Sequence, residues 1–146
     1  MGMQNQAYAM RDVRHANFRL IEKELYHYQE QLARISQFRD DIILGTSTPE
    51  VKVQSDPGDS TSSKAVKLAS GVLTEVTKRV LAIEWACNMI KRHPEPGRWR
   101  LVQLKYFDGR LTNDGVIQEL TISPDTFYRW RRDFIQLIAD RLGWEI

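Results

Sequence analysis

The strongest constraint in this chain is a spacing. Val66, Ala69, Leu73, Val76, Val80, Ile83, Cys87 and Ile90 follow one another at alternating three- and four-residue steps without interruption. An α-helix turns once every 3.6 residues, so these steps draw the eight side chains into a single seam, as in a coiled coil. A strand would scatter the same residues over both faces. One long helix is therefore expected over 63–92. Leu68, Leu81, Trp85 and Met89 widen its apolar face, which predicts packing against more than one neighbour. Gly71 lies off the seam and costs about 1 kcal/mol relative to Ala in a helix interior.

A partner for the seam lies upstream. Phe18, Ile21, Leu25, Tyr28, Leu32 and Ile35 repeat the same steps and predict a helix from about Asn17, its N-cap, to Ile43. Glu22, Glu24 and Glu30 sit among Lys23 and Arg34 on its polar side. Residues 1–16 lack a clear period and are expected to form a flexible N-terminal arm. Between the two helices, 45–62 holds two Gly, two Pro and seven Ser/Thr. Such a segment cannot bury enough apolar surface to offset its ordering entropy, so it reads as a polar linker, with at most a short extended piece at Val51 and Val53. The result is a helical hairpin over 17–92, the first helix folded back antiparallel on the second. A second copy of the chain is another candidate neighbour, a dimer being the first expectation. A purely intramolecular bundle is the competing one.

His93-Pro94-Glu95-Pro96-Gly97 stops the long helix and marks the expected domain border. Beyond it, 98–107 reads as a helix with Leu101 and Leu104 inward, and Asp108-Gly109-Arg110 as a turn. Thr112 is placed to cap a short helix over 113–120. Ser123 is placed to cap a longer one, with Pro124 in its first position and Asp125 in its first turn, which suits the missing proline N–H and the helix dipole. That helix ends at Gly143, a suitable C-terminal stop. Val116, Leu120, Ile122, Phe127 and Trp130 face a common core if the intervening turn, 121–123, is three residues long. Trp99 is expected near the same cluster.

Two helices on a tight turn, followed by an arginine run, make the layout of a helix-turn-helix, whose second helix enters the DNA major groove. The face opposite the core then presents Asp125, Thr126, Tyr128, Arg129 and Arg132 for base reading: Arg pairs with guanine, Asp accepts from cytosine, and a Thr methyl meets a thymine methyl. Lys105, Arg110, Thr112, Asn113 and Arg131 are suited to phosphates, which position without specifying. Ile117 stands where a small residue is usual in such motifs, and Thr121 where Gly is common.

Charge refines this picture. The net charge is only +2, and residues 98–146 carry eight basic against seven acidic residues. Arginines there must act by placement rather than by bulk attraction. Segment 64–92 has six Lys/Arg against Glu75 and Glu84, an excess suited to non-specific attraction. Cys87 is the single cysteine; its seam position reads as a buried thiol, and it leaves no intrachain disulfide and no Cys-based zinc site. His15, His27 and His93 fall in separate segments, with His27 on a helix surface. No metal, cofactor or catalytic residue is expected. No apolar run of signal-peptide or membrane-spanning length is present, which points to a cytoplasmic protein with no membrane partner.

The run LVQLKYFDGRLTNDGVIQELTISPDTFYRWRRDFIQLIADRLGWEI resembles the C-terminal region of the RinA/ArpU family of phage transcriptional activators. Its most specific parts are KYFDGRLTNDG and FYRWRR. IEKELYHYQEQLARISQFRDDII and SDPGDSTSSKAVKLAS are similar to the same family's first helix and linker. The resemblance implies an all-α protein, an N-terminal helical hairpin followed by a helix-turn-helix related to the fourth region of sigma factors. It implies a DNA-binding activator of late genes, encoded by a phage or prophage and acting in the cytoplasm of a bacterial host. Double-stranded DNA and RNA polymerase are the expected partners. Two alternatives stay open: a small-terminase-like DNA-packaging protein, and a sigma-like module that contacts polymerase directly.

Overall fold

The computed structural model describes residues 2–44 and 60–146, with the side-chain surroundings of 3–41, 43–44 and 74–146. The described residues are helical, with no strand among them. Five helices follow in order: α1 Gly2–Leu44, α2 Ser60–Lys91, α3 Gly97–Val102, α4 Asn113–Leu120 and α5 Pro124–Leu142. A π-helical turn, Gln103–Asp108, continues α3.

The two long helices form, with several corrections; on the α1 seam, Leu32 is exposed rather than packed. Residues 2–16, expected as an arm, are the first turns of α1. Asn17 is therefore mid-helix and caps nothing. Its side-chain amide instead donates to the backbone oxygen of Glu145, at 2.9 Å. In α2, Val80, Ile83, Cys87 and Ile90 are buried, and Ala82 and Ala86 join them. Leu81 and Met89 do not widen the packed face: they are 55 % and 45 % exposed. Val66, Ala69, Leu73, Leu68 and the Val51–Val53 piece fall outside the described side chains.

The main core crosses the expected domain border. Ile21 and Leu25 of α1 pack with Ala82, Ile83, Ala86, Cys87 and Ile90 of α2. The same cluster takes in Val102 and Tyr106, and Phe134, Ile135, Ile138 and Ala139 of α5. The 93–97 turn thus separates helices that share one core. A smaller cluster of Leu101, Val116, Phe127 and Trp130, flanked by Leu104, Ile117, Leu120 and Ile122, joins α3, α4 and α5. All five residues expected to meet there do so. Trp99 does not: it packs on the larger cluster, edge-on to Phe107, with Lys91 Nζ 4.6 Å from its ring centre. Trp130 lies instead on the backbone of Gly97, where an added Cβ would come within 2.9 Å of the indole.

The ends of α4 and α5 follow from their caps. Thr112 accepts from the Gly115 N–H, and Ser123 from the Thr126 N–H. Both helices close on left-handed residues, Thr121 (φ 53°) and Gly143 (φ 72°). The N–H of Ile122 then reaches back to Ile117 O, and that of Trp144 to Ala139 O. These are six-residue closures of the Schellman kind. Thr121 is the one non-glycine residue with positive φ among the described residues.

Candidate nucleic-acid interface

The smaller cluster fixes the face that α5 can offer. Phe127 is fully buried and Trp130 nearly so, which turns the opposite side of the first two turns outward. Asp125, Arg129 and Arg132 are exposed there, and Tyr128 is 47 % exposed, its ring packed edge-on to Phe127. Neither arginine has an ion-pair partner among the described residues. Thr126 stands apart from these four. It is half-buried, its N–H is bound to Ser123, and its hydroxyl oxygen accepts from the Ser123 hydroxyl at 2.9 Å.

The phosphate-binding expectations divide. Arg110 is exposed in the turn before α4, and Thr112 is exposed while its hydroxyl oxygen caps that helix. Lys105, Asn113 and Arg131 turn inward, contrary to expectation. Lys105 is only 7 % exposed. Its Nζ donates to Asn113 Oδ1 at 2.8 Å and to Tyr26 Oη at 2.9 Å, and lies 3.5 Å from Glu22 Oε1. Arg131 grips Glu22 with two parallel bonds, Nε to Oε1 at 3.0 Å and Nη2 to Oε2 at 2.7 Å. Its guanidinium also lies 4.9 Å from the centre of the Phe18 ring. The Tyr106 hydroxyl donates to Glu22 Oε1 at 3.1 Å.

Glu22 is thus the anion around which α1, the π turn and α5 meet, not a residue of the polar side of α1. Burial raises the pKa of its carboxyl. Arg131, Lys105 and the Tyr106 hydroxyl outweigh that and leave it below the ordinary value. Arg131 is the mirror case: burial lowers its pKa, and Glu22 more than restores it. Tyr106 is pushed well above the usual phenol range, first by burial and then by the Glu22 charge. Two cations share one carboxylate here, and the neutral oxygens of Asn113 and Tyr26 take the remaining Lys105 donors. Lys105 and Tyr106 both lie in the π turn, which is closed by Gly109 N–H to Leu104 O, and both are buried.

Several other cations are also engaged. Arg14 pairs with Glu145, Arg79 with Glu24, Arg98 with Asp133 and Glu95, and Arg100 with Glu119. In the basic stretch 64–92, Lys78 pairs with Glu75 and Lys91 covers Trp99. Arg129 and Arg132 are among the exposed arginines left without a partner, with Arg11, Arg19, Arg39, Arg92 and Arg110.

Cys87 is buried, and burial pushes its thiol up to about 11. His27 is on the helix surface, beside Glu30. Among the described residues no group of three His, Cys, Asp or Glu could hold a metal ion, and no helix is long and apolar enough to cross a membrane. Compared with protein-family models, curated proteins and solved structures, the chain finds no match.

Proposed function

We propose that α4, the 121–123 turn and α5 form a helix-turn-helix, and that the chain is a sequence-specific DNA-binding regulator of transcription. One observation carries the reading: a helix pair locked by Val116, Phe127 and Trp130 turns Asp125, Tyr128, Arg129 and Arg132 outward, both arginines unpaired. A guanidinium held on a rigid helix and not neutralised by the protein is free to make bidentate contacts with a guanine edge. Asp125 on the same face favours base reading over a generic coating of the phosphate backbone, because an acid repels phosphate and accepts from a base. The resemblance to phage activators supplies the biological setting: late-gene activation in the cytoplasm of a bacterial host, with RNA polymerase as a candidate second partner.

The test is affinity. Arg129→Ala and Arg132→Ala are each expected to weaken binding to a selected DNA site by about 1–3 kcal/mol, roughly five- to 150-fold, and to relax preference at one base position. Both residues are exposed, so melting temperature should hold. Unchanged affinity in both variants would remove the proposed reading face.

A further inference from the structure

We infer that the exposed flank of α1 through Arg11, His15, Arg19 and Lys23 is a second contact surface for double-stranded DNA, gripping phosphates beside the site read by α5. The inference rests on the reading just proposed and extends it to a helix outside the helix-turn-helix.

The four residues recur every fourth position and are all exposed. From Arg11 to Lys23 the stripe runs about 18 Å along the helix. Arg11, Arg19 and Lys23 have no ion-pair partner among the described residues. Asp12 is an acid on this flank, and Glu22 lines the same surface beside Arg19 and Lys23 while bonded to Arg131.

The packing of α1 on α5 then fixes where the stripe points. Arg14 and Asn17 meet Glu145, whereas Phe18 and Glu22 meet Arg131. Rising numbers on one helix thus pair with falling numbers on the other, and the two run antiparallel. In right-handed helices running antiparallel, the residue after a contact position turns to the same side on both. Arg19 and Lys23 follow Phe18 and Glu22; Arg132 follows Arg131. The α1 stripe and the reading face therefore open to one side of the molecule. Tyr26, on the same flank, is held by Lys105, which also holds Asn113 at the start of α4. This ties α1 in register with the helix pair.

The assignment also accounts for a shortfall. With Lys105 and Arg131 committed to Glu22, the helix-turn-helix keeps few free cations for phosphates. DNA carries one charge per roughly 1.7 Å of axis, so a stripe of this length faces a continuous row of them.

The experiment uses the full-length protein and a mixed-sequence DNA duplex, with affinity measured over a salt series. The triple variant Arg11→Gln, Arg19→Gln, Lys23→Gln should bind more weakly. The slope of log K against log salt should fall by roughly 2–3, one unit per lost phosphate contact. Preference among sequences should stay as in the unmodified chain. Circular dichroism checks that α1 persists, as substitution of exposed residues predicts. An unchanged slope and affinity would overturn the inference while leaving α5 as the reader. The same unchanged slope, with loss of binding to RNA polymerase, would overturn it in favour of an acidic protein surface. If the unmodified chain bound no duplex at all, this inference and the reading beneath it would fall together.

Discussion

Thr121 holds a conformation that β-branched residues rarely take. Its φ of 53° places Cβ against the following carbonyl, at a cost of roughly 1–2 kcal/mol. The turn between α4 and α5 accepts that cost because the Schellman closure and the burial of Ile122 depend on it. Thr121→Gly should relieve the strain and lose part of the gain to chain entropy. The expected net effect is a stabilisation of about 0.5–1 kcal/mol, seen as a melting temperature roughly 2–4 °C higher. Glu22 gives a second test at this scale. Its carboxyl titrates below its ordinary value of 4.5, so the unfolded chain takes up the proton first as pH falls. Its contribution to stability is complete above pH 4.5 and lost as pH drops through the depressed folded value. Urea unfolding at a series of pH values should show that loss in the unmodified chain. Glu22→Gln should be less stable at neutral pH and should flatten the acid slope. Parallel curves for the two would mean that the carboxylate is not the hub. Of these residues, the strained turn position was legible as a departure from Gly. The hub was not, because burial of a glutamate depends on cations that come from 83 and 109 residues away in sequence.

At the scale of elements, α2 carries the account. Val80 is 4 % exposed in the middle of the seam. Val80→Asp would bury a carboxylate without a partner and should destabilise the chain by more than about 3 kcal/mol, with a loss of helix signal on mild heating. An unaltered melt would show that the seam does not bear on the fold. The seam itself, α4 and α5 could be read from sequence because each rests on local rules. Heptad steps, Thr112 and Ser123 caps, Pro124 and Gly143 act within a few residues of one another. The misread elements depend on distant partners. Residues 2–16 have no period of their own, and Arg14 and Asn17 reach Glu145 at the far end of the chain. The π turn needs Glu22 to receive the charge of Lys105 and the hydroxyl of Tyr106. Without that anion, an ordinary α-turn is the only sensible expectation for 103–108, and it sends Lys105 to solvent.

For the whole molecule, the shared core changes what the two halves mean. A hairpin tethered to a reader by a loose joint would leave the reader free to swing. Here α5 buries one side against α1 and α2 and another against α3 and α4, so α1 and the proposed reading face move together. In the proposed reading, this is what lets α1 serve as part of the same surface. It also limits the proposed reader: Lys105 and Arg131, expected on phosphates, serve as internal anchors, and in the proposed reading DNA affinity comes from Arg129, Arg132, Arg110 and the α1 flank. Near-balanced charge in 98–146 pointed to placement over bulk attraction. Arg129 and Arg132 of α5, exposed and without an ion-pair partner, fit that point. The most direct measurement is a selection of bound duplexes from a random-sequence pool, run with the unmodified chain and with Arg129→Ala, Arg132→Ala. The account predicts a defined, guanine-containing site for the former and a weakened or lost preference at those guanines for the latter. Recovery of no preferred sequence, or of the same one with both arginines removed, would contradict it.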